Sequence, residues 1–104
     1  MPDEVKRAVG FALREVQNGK TPLNAKALSG FGGGSVLEIK ENHNKQTFRA
    51  IYTVEFEDVI YVLHAFQKKS KSGKATPQRD IELIKSRLSD AKQAHQESSD
   101  EEEI

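Results

Sequence analysis

Apolar residues recur at Val5, Ala8, Val9, Ala12, Leu13 and Val16, the spacing of one buried face on a helix of 3.6 residues per turn. Asp3 can cap that helix, and Glu4 stands at its positive dipole end. Asn18-Gly19 stops it, with glycine supplying a left-handed terminal residue. Thr21-Pro22 predicts a second, shorter helix through Ala25, Ala27 and Leu28. From Val36 the period falls to two. Val36–Lys40 reads as a strand, 41–45 as a polar turn and Thr47–Val54 as a second strand. Phe48, Ala50, Tyr52 and Val54 then share one face of that second strand, with Arg49 and Ile51 on the other. Val59–Phe66 is apolar on both faces, which predicts a third strand at the centre of the sheet. Thr76-Pro77 caps and opens a last helix whose seam is Ile81, Ile84, Leu88 and Ala91, fraying near His95.

This order predicts a small α+β domain: an N-terminal helix or helix pair, an antiparallel sheet of three to four strands, and a C-terminal helix. Residues 1–95 form the single domain, and 96–104 an acidic tail. At 104 residues the chain supports one modest core. Sixteen basic and 16 acidic residues balance, yet the charges are segregated. Glu97, Asp100, Glu101, Glu102 and Glu103 crowd the C-terminus, leaving a body of net positive charge. Such a tail is expected to be disordered or to fold back over a basic patch. The absence of cysteine excludes disulfides and thiolate metal sites, and no apolar run approaches bilayer length. A secretory signal is also missing, so the expected location is the cytoplasm.

Candidate chemistry concentrates between Tyr61 and Arg87. No acidic residue occurs between Asp58 and Asp80, while Lys68, Lys69, Lys71 and Lys74 follow the third strand directly. They form either a soluble loop or a grip on a phosphate backbone; a polyanion would relieve their mutual repulsion. His64, just inside the strand end, is either a histidine hydrogen-bonded within the sheet or a proton donor and acceptor beside the basic loop. Arg49 is either a surface arginine or, facing the same way as His64, a clamp for a phosphate. No second histidine stands at ligand spacing, so neither metal nor cofactor is expected. Residues 30–34, Gly-Phe-Gly-Gly-Gly, lead into a strand instead of a helix, which favours a flexible turn over a phosphate cradle.

Together these segments resemble a known group. Arg49-Ala50-Ile51-Tyr52, then Val62-Leu63-His64-Ala65-Phe66-Gln67-Lys68-Lys69, then Thr76-Pro77 are similar to the phage-derived, HigB-type branch of the RelE-like toxins. The glycine-rich entry through Ser35-Val36-Leu37-Glu38-Ile39 shares the likeness, which spans residues 1 to 90. The resemblance implies the toxin of a type II toxin–antitoxin pair. Such a toxin is a metal-independent mRNA interferase acting on ribosome-bound mRNA. The substrate's own 2′-hydroxyl attacks and leaves a 2′,3′-cyclic phosphate. It also implies a helix-turn-helix antitoxin, with the ribosome and mRNA as further partners. By position, Arg49, His64 and Lys68 are the expected catalytic set. Lys68, Lys69, Lys71, Lys74 and Arg79 are the expected RNA-binding set. The alternative is a silent module or phage remnant that binds an antitoxin without cutting RNA.

Two departures qualify the resemblance. Related chains begin with a strand before the first helix, whereas Met1-Pro2-Asp3-Glu4 already opens it. Either the true start lies upstream or the sheet lacks an edge strand, which would leave Val36–Lys40 or Thr47–Val54 open to self-association. At the other end, only His95 stands where several superfamily members place a catalytic tyrosine or histidine.

Overall fold

The computed structural model describes residues 2–28, 30–31, 34–56, 59–68 and 77–102. Helix α1 (Asp3–Gln17) leads to strand β1 (Ala25–Ala27), then β2 (Val36–His43), β3 (Gln46–Thr53), β4 (Tyr61–Lys68) and helix α2 (Gln78–Glu102). The four strands form one antiparallel sheet in the order β1-β2-β3-β4. The α+β architecture is therefore as predicted.

The ends of α1 follow from local chemistry. Pro2 precedes the helix, its carbonyl accepting from the Lys6 N–H at 3.0 Å, and Asp3 is already the first helical residue, not the cap. Gly19 at φ +81° closes the other end. Its N–H bonds the Val16 carbonyl, and the Lys20 N–H bonds that of Glu15. This paired closure satisfies two of the carbonyls a helix end orphans.

The second helix predicted from Thr21 is instead a turn and a strand. The Ala25 N–H closes a turn onto Pro22, and β1 then pairs with β2 at Ala25↔Ile39, Lys26↔Glu38 and Ala27↔Leu37. Asn24 Nδ2 donates to the Lys40 carbonyl and to Glu41 Oε1, both at 3.0 Å. Sheet pairing overrides the helix preference of three alanine and lysine residues, as tertiary context commonly does. The edge of Val36–Lys40 predicted to be open is accordingly bordered by β1.

Burial also corrects the position of the central strand. All six residues from Phe48 to Thr53 in β3 are buried, whereas β4 is the last strand and carries Val62 at 51% exposure. The β2–β3 hairpin turns tightly on Asn44 (φ +48°) and Lys45 (φ +64°), so β2 runs on to His43, beyond the predicted end of the strand. Positive φ at both central residues is the geometry whose twist suits adjacent strands.

Alternation along β3 builds two cores. Ala50 and Tyr52 join Ile39 under Ala12 of α1, with Val9, Leu13 and Val16 packed around them. Ile51 joins Val36, Leu63 and Leu28 under Ile84 and Ala91 of α2. The helices thus cover opposite faces of the sheet. A bulge between Ile51 and Tyr52 leaves Leu63 as the extra residue of β4. Leu63 and His64 consequently both turn toward α2, the first into its core and the second toward its side chains. Helix α2 is docked as far as His95, whose ring stacks on Phe56 at 4.3 Å, and stays helical to Glu102. Helical geometry thus continues past His95, the point at which fraying is predicted. The 96–104 tail of the sequence reading therefore begins as a continuation of α2.

Candidate functional site

The register puts Arg49 and His64 on the same face, because Arg49 faces Phe66 and Ile51 faces His64 across β3 and β4. That face is covered by α2. Arg49 is 5% exposed, and its Nη1 donates to Glu38 Oε2 at 2.9 Å, with Glu38 itself buried on β2. Neither residue is the surface group that the bland reading of Arg49 expected. In this arrangement the guanidinium charge is met by a carboxylate. A phosphate at Nη1 would compete with Glu38, whose other oxygen, Oε1, has no hydrogen-bond partner among the described residues.

His64 is held from both ring nitrogens. Arg87 Nη1 donates to Nδ1 at 3.2 Å, and Nε2 lies 3.0 Å from Asp80 Oδ1. A guanidinium only donates, so Nδ1 is the acceptor and Nε2 carries the proton that bonds Asp80. The ring also stacks on Phe66, with centroids 4.8 Å apart. Arg87 bonds the Leu63 carbonyl at 2.9 Å as well, satisfying a backbone acceptor that the bulge displaces. Two α2 side chains, seven residues apart on one helical face, therefore fix the tautomer and orientation of His64.

Arg79 is exposed in the first turn of α2, consistent with an accessible cation. The Pro77 carbonyl accepts from the N–H groups of Asp80 and Ile81, so Pro77 stands one place before the helix proper. Lys69, Lys71, Lys74 and Thr76 lie outside the described residues, as does the side chain of Lys68, whose backbone pairs with Thr47 at the end of β4. Arg49, His64 and the end of β4 are thus brought onto adjoining strands, and the basic loop departs from the same strand end.

Sequence reasoning missed Glu38, Asp80 and Arg87. Signals for them were present. Glu38 is an acid at an inward position of a strand bracketed by Val36 and Ile39, and a tight hairpin brings it diagonally against Arg49. Asp80, Ile84, Arg87 and Ala91 share the helical spacing that places polar groups beside the buried seam. Among the described residues no group of three or more histidine or acidic side chains could hold a metal ion, and no helix is long and apolar enough to cross a membrane.

The family model described as "Phage derived protein Gp49-like (DUF891)" matches residues 1–89. Neither a search of curated proteins nor one of solved structures returns a match.

Proposed function

The chain belongs to the phage-derived Gp49-like family of toxin-like proteins, and on that premise we propose that it is the toxin of a type II toxin–antitoxin pair. In this reading it is a cytoplasmic, HigB-type member of the RelE-like toxins that cleaves ribosome-bound mRNA and is silenced by a helix-turn-helix antitoxin. The observation that carries the reading is the shared face of Arg49 and His64 at the strand end from which the lysines depart. In-line attack by a ribose 2′-oxygen forms one P–O bond and breaks the bond to the 5′-oxygen. The nucleophile loses a proton and the leaving oxygen gains one, so the reaction needs a held phosphate, stabilised equatorial charge and proton transfer. Arg49 supplies the charge, His64 carries or positions a proton, and Lys68 and Lys69 hold the backbone.

A second reading, a binding module without catalysis, is favoured by one observation: Arg49 is buried against Glu38 beneath α2. Inducible expression separates the two. Translation arrest with cleaved transcripts, unaffected by a chelator in a purified assay, is expected of the toxin. Healthy growth with intact transcripts and stable antitoxin binding would leave the silent module. Alanine at Arg49 also disturbs folding, so the site test uses Glu38→Leu/Arg49→Met, which replaces the pair by apolar groups. This variant should fold and lose cleavage by about two to three orders of magnitude, the scale of one preorganised electrostatic donor. A folded variant that cuts like the parent would remove Arg49 from the reaction.

A further inference from the structure

Arg87 stands beside His64 with no counter-charge of its own. It is exposed, and it makes no ion pair among the described residues. Both of its contacts, to the Leu63 carbonyl and to His64 Nδ1, run through Nη1. A guanidinium carries five N–H donors, so those on Nη2 and Nε remain for another acceptor. Arg49 presents the opposite picture, being buried with its charge met by Glu38. Between these arginines, Arg87 is the one an anion reaches from solvent.

The two edges of the imidazole also differ. Nε2 lies 3.0 Å from Asp80 on the covered side, where the His64 and Asp80 side chains are 13% and 20% exposed. Phe66 stacks on the ring. Arg87 meets Nδ1 at 3.2 Å on the solvent side. There a cationic donor has only a neutral acceptor. A phosphate is a stronger one, since it is charged and takes two parallel N–H bonds from a guanidinium.

We infer that Arg87 is a catalytic residue held in reserve on His64: a bound phosphate draws it off Nδ1, Arg87 clamps that phosphate, and the uncovered nitrogen acts as base for the 2′-hydroxyl. This step rests on the RNA-cleaving reading. With Arg87 in place the Nδ1 lone pair is committed, so His64 is idle in the free chain. With Arg87 withdrawn, Nδ1 takes the 2′-proton as the O2′–P bond forms and the P–O5′ bond breaks. Arg87 then faces the charge that gathers on the equatorial oxygens. The 5′-oxygen takes a proton from water, and the imidazolium returns its own to the hydroxide left behind. Asp80 is a positioning residue that acts through Nε2. It keeps the ring from turning and faces the imidazolium charge, as the aspartate of a Ser-His-Asp triad does.

Ring nitrogen-15 shifts of His64, assigned against His64→Gln, test the exchange apart from any cleavage. In the free parent Nε2 should carry the proton and Nδ1 none. Inorganic phosphate, at an ionic strength matched with chloride, should move the Arg87 side-chain and His64 Nδ1 resonances together. In Arg87→Gln it should leave Nδ1 where it was. On purified ribosomes carrying mRNA, cleavage should slow about 10²- to 10³-fold in Arg87→Gln and about 10²- to 10⁴-fold in Asp80→Asn. Arg87→Lys keeps the charge but not the planar fork, so its rate should fall between Arg87→Gln and the parent. Melting temperatures of all three should stay near that of the parent. Phosphate that leaves both resonances in place would overturn the assignment. So would variants that cut like the parent, or that lose rate only in step with their melting temperatures. If the parent cuts no transcript, the toxin reading falls, while joint movement of the two resonances would still establish the exchange at Nδ1.

Discussion

Taking Arg49 and Glu38 out of water costs several kcal/mol per ion, and their 2.9 Å contact must offset that. Removing one partner strands the other. Arg49→Ala should therefore destabilise the fold by about 3–5 kcal/mol, while Glu38→Leu/Arg49→Met should be neutral or stabilising; urea unfolding of both variants measures the difference. This separates a stability role from a chemical one at the same residue. Arg49 itself was legible as an anomalous charge in an apolar strand. Glu38 was not, because strand alternation puts polar residues outward by default and only the hairpin register turns this one inward. Tyr52 offers a pH test. Burial pushes its phenol above the ordinary value of 10.0, so the folded state holds the proton more tightly than the unfolded one. The stability tied to that proton is complete below the ordinary value and is lost as pH rises through it toward the folded value. Melting temperature should fall over that alkaline window, and less steeply in Tyr52→Phe.

Among the elements, those fixed by their own sequence were the ones read correctly. α1 carries its periodicity and its glycine stop internally, and β2 and β3 carry theirs. β1 does not: three residues of alanine and lysine contain no strand signal, and only the neighbouring β2 makes them one. The centrality assigned to β4 failed for a related reason. Its apolar residues on both faces reflect the bulge, which turns Leu63 and His64 together toward α2, and not burial between two neighbours. The hairpin turn supplies a prediction. Lys45 occupies φ +64°, which costs a residue bearing a Cβ about 1–2 kcal/mol. Lys45→Gly relieves this but frees the unfolded chain, so a net gain of about 0.5–1 kcal/mol is expected on thermal unfolding. In α2 the last turn is acidic with no basic residue, opposing the helix dipole. Replacing Glu101 and Glu102 with Lys should increase helicity at low salt, and added salt should erase most of the gain, read by circular dichroism.

At the scale of the whole molecule, the sheet is a partition between two cores, one beneath each helix. The long dimension of 51 Å against 28 and 23 Å reflects a 25-residue helix that outruns the sheet it covers. Amides of α2 beyond His95 should exchange with solvent close to the rate of a frayed end, while those around Ile84 should exchange orders of magnitude more slowly; hydrogen exchange resolved by residue checks this. One further consequence attaches to the bulge at Leu63. β4 closes the sheet order, and from Tyr61 to Gln67, short of Lys68 at its end, it bears no acidic or basic side chain other than His64. A flat strand of that composition would template the addition of another chain, as in fibril growth. The bulge divides it at Leu63, and Arg87 donates to the displaced Leu63 carbonyl. The same irregularity that aims His64 therefore interrupts the regular edge along which another chain would have to pair.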